Sequence, residues 1–166
     1  YWLASAKSPL LVYDPSGTGA ITKPEQLFGN FAFGGKKDEG GKPVAWENGF
    51  EAISSLDKNR DGVLTDKELD GLSLWFDNNR NGKSETGEVI PLKKYGITSL
   101  AAKYDRFDST RNIIVAENAY TYASQGKEYK GQVIDWFGYG VSETGQNPQP
   151  FTVSNVSEET KASYPE

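Results

Sequence analysis

Only eight residues, Leu69–Phe76, separate two stretches of this chain that share one grammar, and that short distance limits what the chain can build. In the first stretch Asp57, Asn59 and Asp61 stand at positions one, three and five, Gly62 at six and Glu68 at twelve. The second repeats the order twenty residues later with Asp77, Asn79, Asn81, Gly82 and Glu88. Independent helix–loop–helix units need about ten residues for each flanking helix, so LDGLSLWF has to be shared. Gly71 is placed to break it into a short helix and an extended run, Leu72–Phe76. In that run Leu72, Leu74 and Phe76 face one side and Trp75 packs elsewhere.

The spacing is that of the EF-hand loop, and its chemistry is that of a hard cation. Ca²⁺ takes six to eight oxygens, and short side chains at one, three and five aim theirs inward from a tightly curled backbone. Glycine at six permits the turn. Position seven gives only its carbonyl, so Val63 and Lys83 serve whatever their side chains are, and the glutamate at twelve adds two oxygens. A more degenerate copy lies upstream: Asp14, Ser16 and Thr18, with Gly19 at six, the Ala20 carbonyl at seven and Glu25 at twelve. The same letters, DPSGTG, also write an ordinary Pro/Gly turn, and both readings stand. Ile21 and Leu64 hold position eight of the first and central loops and are the expected β-contact between paired loops; the third loop has Ser84 there. Side-chain charge ranks the central loop first, then the third, which adds Glu85 at position nine, then the first.

A net charge of −5 disfavours nucleic acid and anionic membrane surfaces and suits cations. With no cysteine and no histidine, thiol chemistry, disulfides, zinc fingers and histidine-dependent catalysis are excluded. No stretch approaches the ~18 apolar residues of a membrane span. The chain opens on Tyr1 and has no methionine, which reads as a mature or excised fragment.

The predicted fold is α+β: a compact EF-hand-like calcium-binding core of short helices and loops, with a small C-terminal antiparallel β-hairpin. GFEAISSL places Phe50, Ile53 and Leu56 on one face as the helix entering the central loop, and VIPLKKYG reads as a short helix from Pro91 to Gly96. Residues 29–49 read as a glycine-rich surface loop anchored by Phe31, Phe33, Val44 and Trp46. Period two near 112–124 and 130–138 gives the hairpin, in which Tyr120, Tyr122, Trp136 and Phe137 form either a small core or a sugar-binding platform. Three regions follow: 1–104 with calcium loops at 14–25, 57–68 and 77–88; 105–145 as the aromatic-rich hairpin; and 146–166 as a polar tail or linker.

LLVYDPSGTGAITKPEQLFGN, NGFEAISSLDKNRDGVLTDKE and LSLWFDNNRNGKSETGEVIPLKKYGITSL together resemble the EF-hand calcium domain of large secreted haemolysin-type, repeats-in-toxin bacterial proteins. The likeness covers roughly residues 9 to 100, with the DWF at 135–137 as a fainter echo of a closing strand. It implies extracellular Ca²⁺ binding that drives folding after export, with Asp14 and the central and third loops as ligands. The sequence departs from the pattern where Ser16 and Thr18 replace Asn or Asp, and where Gln26 stands at the place of the expected glutamate. Some relatives are self-processing modules that, once calcium-loaded, cleave an Asp-Pro bond at their own leading edge. Here the leading dipeptide is Ser8-Pro9, and the one Asp-Pro, Asp14-Pro15, lies inside the first loop.

The resulting expectation is a non-enzymatic, calcium-stabilised domain of a secreted or cell-surface bacterial protein with a structural or adhesive role. Its expected partners are calcium ions, at two sites with a third in the first loop, and either other domains of a larger protein or a surface glycan; nucleic acid and membrane insertion are not among them. The alternatives are a calcium-dependent self-cleaving module acting at Asp14-Pro15, and a calcium-scaffolded carbohydrate- or protein-binding module using Tyr120, Tyr122 and Trp136.

Overall fold

The computed structural model describes residues 8–139 and 150–156. In chain order the strands are β1 (Leu10–Tyr13), β2 (Lys36–Lys37), β3 (Pro43–Val44), β4 (Val63–Thr65), β5 (Leu72–Trp75) and β6 (Val89–Pro91). They continue with β7 (Ile97–Ala101), β8 (Arg106–Asp108), β9 (Ile113–Ser124), β10 (Lys127–Tyr139) and β11 (Pro150–Val156). Two short helices, α1 (Gly49–Ser54) and α2 (Leu92–Tyr95), complete the regular structure with three 3₁₀ turns.

The helical EF-hand core expected from the sequence is therefore overturned. Nine strands form one antiparallel sheet in the order β4-β7-β9-β10-β11-β1-β5-β6, with β8 beside β7 on the same edge of β9; β2 and β3 make a separate ribbon. The physical reason lies in the segments that lead into the loops. LLVY and LSLW are four-residue apolar runs, too short to close a helix that could bury a face, and as strands they are covered on both sides. Only the central loop is entered by a helix, α1, where Asn48 caps the first turn by accepting from the Glu51 N–H at 2.9 Å.

The β1–β5 ladder shows the two faces plainly. Leu11, Leu72, Leu74 and Phe76 point into the main core with Phe28, Phe50, Ile53, Leu64, Leu100 and Tyr120. Leu10, Val12 and Trp75 point the other way and are roofed by Ile21, Leu27 and Val89. This is the alternation expected for Leu72–Phe76, Trp75 included. Gly71 precedes the run at φ +82°, and a Cβ there would sit 2.9 Å from the Tyr13 ring and 3.1 Å from the Pro15 Cα. Gly71→Ala is expected to cost about 2–3 kcal/mol, combining left-handed strain with this clash, and to lower the urea midpoint without changing the slope.

Several local expectations change. Phe31 is 64% and Val44 41% exposed, so neither anchors the 29–49 segment. Phe33 does, edge-on to Tyr13 and Phe28, as does Trp46, whose indole N–H donates to the Ala32 carbonyl at 2.7 Å. The segment assigned to a tail contains β11, which pairs β10 along seven residues and places Asn155 opposite Leu10. The hairpin is likewise no appendage: β9 pairs β7 and β10 within the one sheet. Residues 140–149 and 157–166 of the predicted tail lie outside the described residues.

Candidate metal centre

All three predicted loops adopt one backbone. Positions four and six are left-handed in each: Gly17 and Gly19, Arg60 and Gly62, Arg80 and Gly82, with φ between 59° and 91°. The aspartate at position one fixes that curl by accepting the glycine N–H of position six, from Gly19 to Asp14 Oδ2 at 2.7 Å, Gly62 to Asp57 Oδ2 at 2.8 Å and Gly82 to Asp77 Oδ2 at 2.8 Å. The carboxylate does this because it is an acceptor only, with lone pairs enough to take backbone donors and still face inward.

The glutamates close the central and third loops in the same way. Glu68 accepts from the Lys58 N–H at 2.9 Å and the Thr65 N–H at 3.2 Å; Glu88 accepts from Asn78 at 2.9 Å and Glu85 at 3.1 Å. Asn59 and Asn81 or Asp61 bridge the interior: Asn59 donates to Asp61 Oδ2 at 2.8 Å, while Asn79 and Asn81 both donate to Glu85 at 2.7 and 3.1 Å. Asp77 and Glu88 are 0% and 5% exposed, and neither forms a salt bridge among the described residues. In the central loop Asp57 Oδ1 is buried with no hydrogen-bond partner.

Among the described residues no group of three or more acidic side chains gathers into a metal-holding cluster. Each loop instead offers mixed oxygens: carboxylates of Asp57, Asp61 and Glu68 with the Asn59 amide and Val63 carbonyl, or of Asp77 and Glu88 with Asn79, Asn81 and the Lys83 carbonyl. That donor chemistry fits a hard cation such as Ca²⁺, which accepts neutral oxygens freely, and fits no thiophilic metal. The buried Asp57 Oδ1 is free to take one further partner, a donor or a cation.

The first loop differs. Asp14 is 5% exposed and accepts the Thr18 N–H and both the Ser16 and Thr18 hydroxyls. Glu25 is exposed, and Gln26 makes the closing bonds in its place. The expected Ile21–Leu64 pairing does not form: Leu64 lies opposite Leu100, whereas the Ile21 N–H donates to Ser84 Oγ at 2.7 Å. The first loop therefore pairs with the third. An apolar match had pointed to the second, but a hydroxyl meets the backbone donor better.

Tyr120 and Tyr122 do not form an exposed platform, and the Phe137 side chain lies outside the described residues. Tyr120 is 1% exposed in the main core, and Tyr122 packs between Tyr95 and Tyr129 at 5.8 and 6.1 Å. Trp136 is half-buried on β10.

Asp135, a residue without an assigned role in the sequence reading, is fully buried on β10. It accepts the Gly49 N–H at 2.6 Å, tying α1 and hence the entry to the central loop onto the sheet, while its Oδ1 has no partner. Burial pushes its carboxyl up to about 7, against the lowering effect of the Gly49 N–H. The signal was present in VIDWF: Val133 and Asp135 share a face by period two, which sets a carboxylate toward the core.

An antiparallel sheet that carries three carboxylate-anchored loops of one geometry, two of them paired, defines the class of module. A family model described as the SPM domain matches residues 2–136, and the chain belongs to that family. Over 128 residues it is 33% identical to the iron-regulated protein FrpA of Neisseria meningitidis serogroup C, a match that takes in 76% of this chain. The chain spans about a tenth of that relative, 10% of its length.

Proposed function

We propose that the chain is a non-enzymatic calcium-binding module of a secreted or cell-surface bacterial protein, which Ca²⁺ in the central and third loops folds and stiffens. Its role is structural or adhesive. The observation that carries this reading is the set of loop carboxylates that backbone N–H groups hold but no cationic side chain among the described residues neutralises: Asp57 Oδ1 buried without a hydrogen-bond partner, and Asp77 and Glu88 buried without an ion pair. Buried charge of this kind is stable only when matched, and a divalent cation matches it while using the carbonyls of Val63 and Lys83. The likeness to the haemolysin-type calcium domain supports the same reading.

Self-cleavage at Asp14-Pro15 is not favoured. For the carboxylate to attack its own carbonyl carbon it would have to release the N–H groups of Thr18 and Gly19, which hold the loop closed.

Chelated protein titrated with Ca²⁺ is expected to bind two ions and to gain about 2.7 kcal/mol per site at a hundredfold excess over Kd, read as a rise in Tm. Its intact mass stays constant over days in Ca²⁺. No gain in Tm would sink the calcium reading, and a new pair of fragment masses would replace it with self-processing.

A further inference from the structure

The first loop repeats the backbone of the other two but inverts the chemistry at its closing residue. In the central and third loops the closing glutamate turns one oxygen to the N–H of position nine and the other to the N–H of position two. In the first loop Gln26 Oε1 accepts the Thr22 N–H, at position nine, at 2.9 Å and the Lys23 N–H at 3.2 Å. Its Nε2 instead donates to the Ala20 carbonyl at 3.1 Å and the Tyr13 carbonyl at 3.3 Å. The orientation of the amide is fixed by chemistry: only with its oxygen toward two N–H groups and its nitrogen toward two carbonyls are all four satisfied.

Ala20 is the position-seven residue, whose carbonyl serves a cation in loops of this spacing. The Gln26 NH₂ thus takes up that oxygen. A second residue independently agrees. Position two, which supplies an N–H to the glutamate in the other loops, is Pro15 here and has no N–H to give. A glutamate at 26 would turn its second oxygen toward two carbonyls and no donor. The hydroxyls at positions three and five are engaged as well, since Ser16 and Thr18 both donate to Asp14 Oδ1.

Resting on the calcium reading of the other two loops, we infer that the first loop is a cation-free copy, closed by the Gln26 carboxamide where an ion would otherwise bind. Because its Ile21 N–H holds Ser84 at position eight of the third loop, it forms a strut that stands before calcium arrives and presents the third loop to its ion.

The inference is tested in two arms. In chelator, amide exchange at Thr22 and Lys23 is followed for the wild type, Gln26→Ala and Gln26→Glu. Gln26→Ala is expected to exchange about tenfold faster, the loss of roughly one net hydrogen bond, whereas Gln26→Glu, whose carboxylate still accepts both N–H groups, keeps the wild-type rate there; the fold is checked by the unchanged exchange of β9 and β10. Unaltered exchange at Thr22 and Lys23 in Gln26→Ala overturns the inference. In the second arm, calorimetric Ca²⁺ titration of wild type and Gln26→Glu is expected to give two ions and three, the new site falling in the range of about 10⁻⁴–10⁻³ M of extracellular modules. Three ions in the wild type, or no added ion in Gln26→Glu, also overturns it. A wild type that binds no calcium removes the functional reading instead, and the exchange arm still decides whether Gln26 closes the loop without an ion.

Discussion

Asp77→Ala is expected to lower the stability of the calcium-loaded protein by about 3–5 kcal/mol, the largest effect of any single loop substitution. Asp77 is fully buried, at the exit of β5, and accepts both the Asn81 and Gly82 N–H groups. Alanine deprives the Gly82 N–H of its acceptor, leaves the Asn81 N–H with Asn79 Oδ1 alone, and takes away the first anionic ligand of the third loop from a fully buried position. It also loosens the partner of the first loop, since Gly82 and Ser84 lie on the same curl. Ranked by side-chain charge, the central loop came first. Burial favours the third, because Asp57 and Glu68 are half-exposed and forfeit less when cut. Denaturant titrations of Asp77→Ala and Asp57→Ala in Ca²⁺ and in chelator separate the two orders. Equal losses in both media would show the ion contributes nothing at this loop.

The second large effect depends on pH. The Asp135 carboxyl titrates near 7 in the folded protein and near its ordinary 3.8 in the unfolded chain. The folded state therefore holds this proton more tightly, and the group costs nothing below about pH 4, where both states are protonated. Its cost grows as pH rises through the window from about 4 to 7 and then levels off. With each unit worth 1.36 kcal/mol, the full displacement amounts to about 4 kcal/mol. Asp135→Asn keeps an oxygen for the Gly49 N–H and cannot ionise. Its stability relative to wild type is expected to be near zero difference at pH 4 and to favour the variant by about 4 kcal/mol at pH 8. Taking the difference between the two proteins cancels the titration of the loop carboxylates, which is common to both. A difference that is flat across this range would show that Asp135 carries no raised pKa.

How far the sequence was legible follows from which forces act locally. Period two placed Leu72, Leu74 and Phe76 on one face and Trp75 on the other, and Phe50 and Ile53 marked α1, because both patterns are set by side chains within a few residues. Pro91 and Gly96 bounded α2 for the same reason, Gly96 ending it at φ +105°. The loop turns were legible because their hydrogen bonds are local: position one accepts the position-six N–H in all three, and the glutamate at twelve accepts those of positions two and nine in the central and third. Sheet order was not. That Leu10 faces both Trp75 and Asn155 is decided by pairings across most of the chain, on which no local period bears. The loop spacing itself misled, since by analogy it brings helices with it, yet four-residue runs such as LLVY bury more as strands. Gln26 stood out only as a missing glutamate, and its meaning needed the Ala20 carbonyl and Pro15 beside it.

The strand β11 decides how well the sheet guards its own edges. Among the described strands it alone joins the β4–β10 half of the sheet to the β1–β6 half, pairing β10 along seven residues and meeting β1 at Leu10. Withdrawn, it leaves two open edges with unpaired backbone groups, each the template for an identical strand. Seating β11 satisfies both edges at once, so this one strand closes the sheet and guards it against pairing with other chains.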